Sequence, residues 1–209
     1  MVATKAMFPS AYGFAHIQDA PRDIAFWKDR LHSTLGKAFT EKDNTAPTYI
    51  VVPSIGIVTP VTDMSDIDTP EALRDMNTLI SGGDIHVNPY LHDGVLHYPR
   101  SAGAGEIGNM VVAGHSSYWK SDTGRYKTVF GNLMELDAGE EVWVYTQSST
   151  EKSGYTLHRY RVTASYNTDP TNVGVLLPDG TKSTITLFTC TPVGGLAGRW
   201  IVRGELIRE

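Results

Sequence analysis

Two neighbouring stretches near the C-terminus decide the fold: TLFTCTP at residues 186–192 and RWIVRG at residues 199–204. The first ends an apolar, β-branched run, a composition that is typical of strands. A proline and three glycines follow, and the second apolar run begins at Arg199. The pattern predicts a strand, a loop and a second strand. It places the thiol of Cys190, the only cysteine, at the start of the loop and the guanidinium of Arg199 at its end.

Outward from these stretches, the chain carries about eight short runs of strand composition and only two or three short helical patterns. This pattern predicts a mainly β protein, built as a closed or nearly closed mixed barrel. The predicted strands are 49–52, 55–58, 94–98, 109–113, 142–146, 155–164, 183–189 and 199–207. Two long loops are predicted between them, over residues 99–108 and 167–182.

The N-terminal extension is predicted to comprise residues 1–48, followed by one domain over residues 49–209. Apolar side chains recur three and four positions apart within residues 19–35, which predicts an amphipathic helix on the outside of the domain. Pro21 suits its first turn, and Gly36 lies past its end. Residues 41–47 are predicted to be a polar linker. Short helical segments are predicted at 69–79 and within 129–136.

The composition argues against several classes of function. A net charge of −5 disfavours nucleic acid as the main partner, because phosphate binding needs a basic surface. A single cysteine excludes an internal disulfide, and no zinc-type Cys/His spacing is present, so we expect no metal and no cofactor. No stretch approaches the roughly 18–20 apolar residues of a membrane span. The residues leave open a cytoplasmic protein, or one whose targeting and anchor segments lie outside this chain.

Three residue types suit acyl-transfer chemistry. Cys190 lies between threonines beside a Pro/Gly loop, where a thiolate can react, although a lone cysteine is more often buried and structural. His115 follows the apolar run at 110–114, so that it too lies at a strand end. Arg199 would stabilise negative charge opposite the thiol. Arg203 is the alternative, since a spacing of four along a strand puts both arginines on the same face.

The same segments resemble the signature of the sortase family. TLFTC at 186–190, with an arginine on the next strand, is similar to the nucleophile motif of sortases, and GNMVVAGHS at 108–116 is similar to their histidine segment. The lead-in GVLHYP at 94–99 and the later YKTVF at 126–130 are placed as in that family. The resemblance runs from about residue 49 to residue 207 and does not include the N-terminal extension.

The resemblance implies a fold and a reaction. The fold would be the eight-stranded sortase-type β-barrel, with a few short helices and an N-terminal helix. Cys190 would be the nucleophile, His115 the acid/base and Arg199 the substrate or oxyanion clamp, because the first arginine after the loop is catalytic in sortases with a Cys-Thr-Pro motif. The reaction would cleave an LPxTG-like sorting signal between Thr and Gly. The acyl group would then pass, through a thioester, to an amine.

The resemblance also implies partners and a location. The acyl donors would be sorting-signal peptides of surface proteins, and the amine would belong to a peptidoglycan precursor or a pilin lysine. Sortases usually carry a hydrophobic anchor ahead of the domain, so a membrane anchor is expected for the native protein, and this chain lacks it. The site of action would be the extracellular face of the bacterial cell membrane.

Weaker candidates for substrate binding are Thr189, Ser116, His97, Val175 and Leu176. The matching threonine in sortases lies near the oxyanion, and residues 167–182 fall where sortases place a lid over the substrate. The two apolar lid residues would line a substrate groove or merely pack the loop. Ser116 would orient the preceding histidine, touch substrate or simply form a turn, and His97 would support the site from behind.

Other classes of protein remain open. A cysteine hydrolase on a similar barrel would use water in place of the amine, and adding an amine acceptor distinguishes the two. A non-enzymatic surface β-domain would hold Cys190 buried and inert, which alkylation of the native protein tests. An L,D-transpeptidase is disfavoured, because its Ser-His-Gly-Cys type of motif is missing.

Overall fold

Eight strands close into a barrel in the computed structural model, which describes residues 17–63, 88–148, 154–178 and 180–208. The strands are β1 Thr48–Val52, β2 Ile57–Asp63, β3 Val95–His97, β4 Gly108–Ala113, β5 Glu141–Gln147, β6 Tyr155–Thr168, β7 Ser183–Thr191 and β8 Gly198–Leu206. Around the barrel they follow the order β1-β2-β3-β4-β7-β8-β6-β5. The pairs β2–β3 and β4–β7 are parallel, and the other six are antiparallel. The predicted mixed barrel is confirmed.

Two apolar layers explain why β4 and β7 are buried along nearly their whole length. Alternate residues of all eight strands fill the barrel interior, as the period of two in a strand requires. The opposite face of β4 and β7 belongs to an outer cluster, which the segments around Leu91 and Val175 cover. This outer cluster contains Leu91, Leu96, Tyr98, Val111, Ala113, Val175, Phe188, Cys190 and Ile201.

The strands around the predicted nucleophile are longer than the sequence pattern indicated. The strand β7 continues through Cys190 to Thr191, so the thiol lies inside the strand and not after it. Pairing with β8 supplies backbone partners to these last residues. The strand β6 also runs on to Thr168, with an irregularity in its pairing between Val162 and Ala164. The predicted loop at 167–182 therefore starts later, and it contains the 3-10 helix Val173–Leu176.

The helix α1, Ile24–Leu35, packs on the outside of the barrel, as its amphipathic pattern predicts. It begins at Ile24 because the side chain of Asp23 accepts a hydrogen bond from the Ala25 amide at 2.9 Å. The predicted start at residue 19 is therefore wrong, and Pro21 precedes the helix. Gly36 ends it with a φ of 53°, a conformation that favours glycine. On its inner face Trp27 and Leu31 are buried.

The segment predicted as a polar linker at 41–47 instead forms the short helix α2, Glu41–Thr45. Thr40 and Asp43 cap its first turn reciprocally. The buried carboxylate of Asp43 also binds Arg125 and accepts a hydrogen bond from the Tyr126 hydroxyl at 2.7 Å. The Tyr49 hydroxyl donates to the Asp43 carbonyl at 2.7 Å, so α2 is joined to both the barrel and the 125–126 segment.

The remaining helical predictions have separate outcomes. The turn predicted within 129–136 is the 3-10 helix Leu133–Glu135. A further helix, α3, covers Asn88–His92 ahead of β3. The helix predicted at 69–79 lies outside the described residues. Among the helices that are described, none has the length and apolar character needed to cross a membrane.

Candidate active site

Cys190 and Arg199 are direct cross-strand neighbours. The antiparallel register of β7 and β8 pairs Cys190 with Arg199, whereas it pairs Arg203 with Thr186. Residues that lie opposite each other point to the same face of a sheet, and here that face is the outer one. Of the two arginines that the sequence left open, Arg199 is therefore the one beside the thiol.

His115 reaches the same edge of the barrel on a parallel strand. The register of β4 and β7 pairs Ala113 with Phe188. His115 comes two residues after Ala113, and Cys190 comes two residues after Phe188, so the two side chains lie at the same level. The Gly114 amide donates to the Phe188 carbonyl at 3.1 Å, which continues the pairing beyond Ala113. A Cβ at Gly114 would lie 2.5 Å from the ring of Phe130, so this position requires glycine.

A cleft of about 400 Å³ lies between His115 and Cys190. Its lining comes from the segment after β4 and from the loop after β7: His115, Ser117, Tyr118, Trp119, Lys120, Cys190, Gly194, Gly195 and Leu196. The hydroxyl of Ser117 accepts a hydrogen bond from the Gly194 amide at 2.8 Å, which joins the two walls. Cys190 is only 5% exposed, so little of this residue is accessible to solvent in the free protein.

Arg199 lies behind the cleft and does not line it. The side chain is fully buried, and its Nη1 donates to the carbonyls of Gly198 at 2.7 Å and Leu196 at 3.3 Å. The guanidinium thus supports the Gly-rich loop with hydrogen bonds while its charge acts on Cys190.

The electrostatics of the pair favour neutral groups in the free protein. Burial raises the pKa of the Cys190 thiol, and the charge of Arg199 offsets only part of this effect. Burial lowers the pKa of His115 to about 4; the charge of His92 acts in the same direction and that of Asp122 opposes it. At neutral pH the site therefore holds mainly a thiol and a neutral imidazole. The His115 Nε2 is buried and has no hydrogen-bond partner among the described residues.

A polar and aromatic shell, which the sequence reasoning missed, surrounds His115. The Tyr118 ring stacks on the imidazole, with ring centroids 4.5 Å apart and an interplanar angle of 25°. Behind Tyr118, the His92 Nε2 lies 3.0 Å from the Asp122 Oδ2. The available signal was the run SSYWKSD at 116–122, whose aromatic residues follow His115 directly in an otherwise polar segment.

None of the five weaker site predictions lines the cleft. The Thr189 hydroxyl is buried and donates to the Gly114 carbonyl at 2.7 Å, so that it braces the turn that delivers His115. Ser116 lines a separate cavity of about 510 Å³ between α1 and the barrel. The His97 Nε2 lies 3.0 Å from the Ala102 carbonyl, and its Nδ1 lies 3.7 Å from Asp63.

Val175 belongs to the outer cluster that contains Cys190, and Leu176 packs against this cluster. The buried side chain of Asn109 fixes their backbone, since its Nδ2 lies 3.3, 3.2 and 3.4 Å from the carbonyl oxygens of residues 175, 176 and 177. The Asn109 Oδ1 in turn accepts from the Thr186 hydroxyl at 2.9 Å. A strand residue of β4 therefore positions the segment that was predicted to be a substrate lid.

Metal chemistry has no evident location in the parts of the chain that are described. No group of three or more His, Cys, Asp or Glu side chains there is arranged to hold a metal ion.

Solved structures of similar fold are sortases. A lid mutant of sortase A from Corynebacterium diphtheriae has a TM-score of 0.57 and 22% identity, over 91% of this chain and 83% of the other. Sortase C-1 from Actinomyces oris has a TM-score of 0.56 and 22% identity, over 84% and 82%. Sortase A from Listeria monocytogenes has a TM-score of 0.53 and 21% identity, over 78% and 88%. At these identities the likeness shows the fold alone.

The family itself is shown by the sequence. No curated protein matches the chain. The model of the sortase domain, however, matches residues 50–207, which is most of the chain and includes every strand from β2 to β8. Sortases are transpeptidases that act at the bacterial cell surface, and this chain belongs to the sortase family.

Proposed function

We propose that the protein is a cysteine transpeptidase that cleaves an LPxTG-like sorting signal between Thr and Gly and transfers the acyl group to an amine. One observation carries the proposal. In a chain of the sortase family, Cys190 and His115 line one cleft, and Arg199 is the direct cross-strand neighbour of Cys190.

The first half-reaction forms a thioester. The Cys190 sulfur attacks the carbonyl carbon of the substrate threonine, and the thiol proton passes to the His115 imidazole. The carbonyl oxygen becomes negatively charged, and the Arg199 guanidinium, held close by the β7–β8 register, lowers the energy of that charge. The C–N bond then breaks as the His115 imidazolium protonates the leaving glycine amine.

The second half-reaction resolves the thioester. An incoming amine attacks the same carbonyl carbon, and neutral His115 removes the proton from its nitrogen. The C–S bond breaks, an amide forms, and the proton returns to the Cys190 sulfur. The low pKa of His115 keeps the imidazole neutral at pH 7, which is the form that this step requires.

The proposed partners follow from this reaction. The acyl donors are surface proteins that carry a sorting signal, and the acceptor is an amine of a peptidoglycan precursor or of a pilin lysine. The proposed place of action is the extracellular face of the cell membrane.

Mass spectrometry of sorting-signal peptides incubated with the protein and an amine tests the proposal. We expect the cleaved glycine-containing fragment, a covalent acyl adduct on Cys190, and the amide product. Cys190→Ala should abolish all three, and His115→Ala and Arg199→Ala should each reduce turnover by at least about a hundredfold.

Matched controls separate chemistry from folding. Arg203→Ala removes an arginine on the same face of β8 as Arg199, at a position that is paired with Thr186 and not with Cys190. His32→Ala removes an exposed histidine of α1. Both should retain most of the activity. Cleavage of a sorting peptide by the Cys190→Ala variant would refute the proposal, and cleavage without any amide product would identify a hydrolase.

A further inference from the structure

A large aromatic side chain stands exposed at the mouth of the cleft. Trp119 lines the cleft together with Cys190 and His115, yet it is 74% exposed. Tryptophan is usually largely buried in proteins, and an exposed one beside a reactive group is typical of a binding surface. Leu196, which is 54% exposed, presents a second apolar side chain from the opposite wall.

The backbone that carries Trp119 is held from behind. The Lys127 Nζ donates to the Asp122 carbonyl at 2.7 Å and lies within 3.5 Å of the carbonyls of Trp119 and Lys120. The Asp122 amide donates back to the Trp119 carbonyl at 3.1 Å, which closes a turn. The carboxylate of Asp122 also lies 3.0 Å from the Nε2 of His92. Trp119 is therefore presented by a fixed turn, which reduces the entropy lost on binding.

The chemistry of the proposed reaction determines which substrate occupies this side. The same imidazole protonates the departing amine and deprotonates the attacking one, so both amines must approach from the His115 side of Cys190. Trp119 lies on the His115 wall of the cleft, four residues after the histidine, and Leu196 faces the same cleft from the loop after β7. Val175 belongs to the outer cluster that contains Cys190 and does not line the cleft, and the acyl portion of the donor is expected at that cluster.

The charged side chains that line the cleft indicate which charges the amine acceptor carries. Among the residues that the structure describes, the lining of the cleft contains the exposed ammonium of Lys120 and no carboxylate. Such a lining disfavours an acceptor whose only charge is an ammonium group and favours one that also carries a negative group. The exposed faces of Trp119 and Leu196 suit an aliphatic chain between the two groups.

Resting on the proposed transpeptidase function, we infer that Trp119, Lys120 and Leu196 form the acceptor subsite. It binds an amine that ends an aliphatic chain and has a carboxylate farther along, as in a lysine-type or diaminopimelate-type side chain. Trp119 and Leu196 contact the methylene groups, and the ammonium of Lys120 pairs with the carboxylate.

Partitioning of the acyl-enzyme between water and amine tests the subsite, because this ratio does not depend on how fast the thioester forms. Three amines are compared on the wild-type enzyme: Nα-acetyl-lysine, Nα-acetyl-lysine amide and triglycine. We expect Nα-acetyl-lysine to give the highest ratio of amide to hydrolysis product. Trp119→Ala should lower the ratio about tenfold for both lysine compounds and leave triglycine within twofold. Lys120→Gln should lower Nα-acetyl-lysine to the level of its amide.

Ile107→Ala is the matched control, because Ile107 is 69% exposed and does not line the cleft. It should leave all three ratios unchanged. The inference is overturned if Trp119→Ala leaves the lysine ratios unchanged, or if it lowers the ratio for triglycine equally. Absence of a thioester in the wild-type enzyme would overturn the transpeptidase proposal and the subsite together. A thioester that forms and gives the same ratio of amide to hydrolysis product in the wild type, in Trp119→Ala and in Lys120→Gln would overturn only the subsite.

Discussion

Replacing Asp43 with alanine is expected to destabilise the whole domain, although the residue lies in the N-terminal segment that the sequence marks as an extension. The carboxylate is 1% exposed and binds three residues: Thr40 through its amide and hydroxyl, Tyr126 through its hydroxyl and Arg125 through its guanidinium. Alanine would leave the buried Tyr126 hydroxyl without its acceptor and would remove one carboxylate from the largely buried Arg125, whereas the donors of Thr40, an exposed residue, can bind water. Only Arg125 would keep a second carboxylate, that of Asp93 at 2.7 Å.

The expected loss is about 3–5 kcal/mol, the usual cost of removing one partner from a buried ion pair. For a domain of this size, 1 kcal/mol corresponds to roughly 2–4 °C in melting temperature, so Tm should fall by about 6–20 °C. Tyr126→Phe, which removes one hydrogen bond to the same carboxylate, should cost about 1.5–3 kcal/mol.

The measurement is thermal unfolding followed by circular dichroism at pH 7. Asp29→Ala is the control, because this aspartate lies on α1 in the same N-terminal segment but is exposed; its Tm should move by no more than about 2 °C. A Tm for Asp43→Ala within that range would refute the reasoning. It would mean that α2 can detach from the barrel at little cost.

The pH dependence gives a second check with a defined sign. Burial alone would raise the pKa of Asp43, but hydrogen bonds from Tyr126, Thr40 and Arg125 outweigh it and hold the pKa below its ordinary value. A lowered pKa in the folded state contributes stability above the unfolded value of about 3.9 and loses it as the pH falls through the folded value. The difference in Tm between the wild type and Asp43→Ala should therefore stay constant down to about pH 5 and shrink below about pH 4.

Three further outcomes are expected. The rate of Cys190 alkylation by iodoacetamide should be lower at pH 7 than that of a small free thiol and should keep rising beyond pH 9.0. The reason is that burial raises the pKa of this thiol above its ordinary value of 9.0. A rate that reaches a plateau below pH 8 would contradict this. Asn109→Ala should raise KM for a sorting peptide several-fold while leaving Cys190 alkylation unchanged, since it releases the carbonyls near Val175; equal changes in both would contradict it. Glu141→Gln should cost about 1–3 kcal/mol in chemical unfolding, because the buried carboxylate accepts two hydrogen bonds from Arg159, and a loss below about 0.5 kcal/mol would contradict it.

The barrel was predictable because its strands carry the signal in their own residues. The runs at 110–113 and 184–189 are continuously apolar or β-branched, as is typical of strands buried on both faces. The errors lie at the ends of elements. The capping side chains of Asp23 and Asp43 decide where α1 and α2 begin. In the sequence a polar residue is compatible with both a helix cap and a linker, and only its hydrogen bond in the structure distinguishes the two.

The candidate site divides in the same way. Cys190 and His115 could be selected from motif and spacing, and the resemblance to sortases favoured Arg199 over Arg203. Trp119 and Asn109 could not be given a place in the site from the sequence. No residue near them in the chain indicates that Trp119 lines the same cleft as Cys190, or that Asn109 binds the backbone of the 173–177 segment. Those placements depend on contacts between residues that are far apart in the chain.

The sequence by itself thus determined the strand content, the order of the motifs and the family, because these follow from local composition and spacing. Only the tertiary structure decided which arginine lies beside Cys190, since that depends on the register between β7 and β8. It also decided that the free site holds a thiol and a neutral imidazole, because burial by surrounding segments shifts the pKa values of Cys190 and His115. Register and burial are set by long-range packing, and a linear pattern of residues does not contain them.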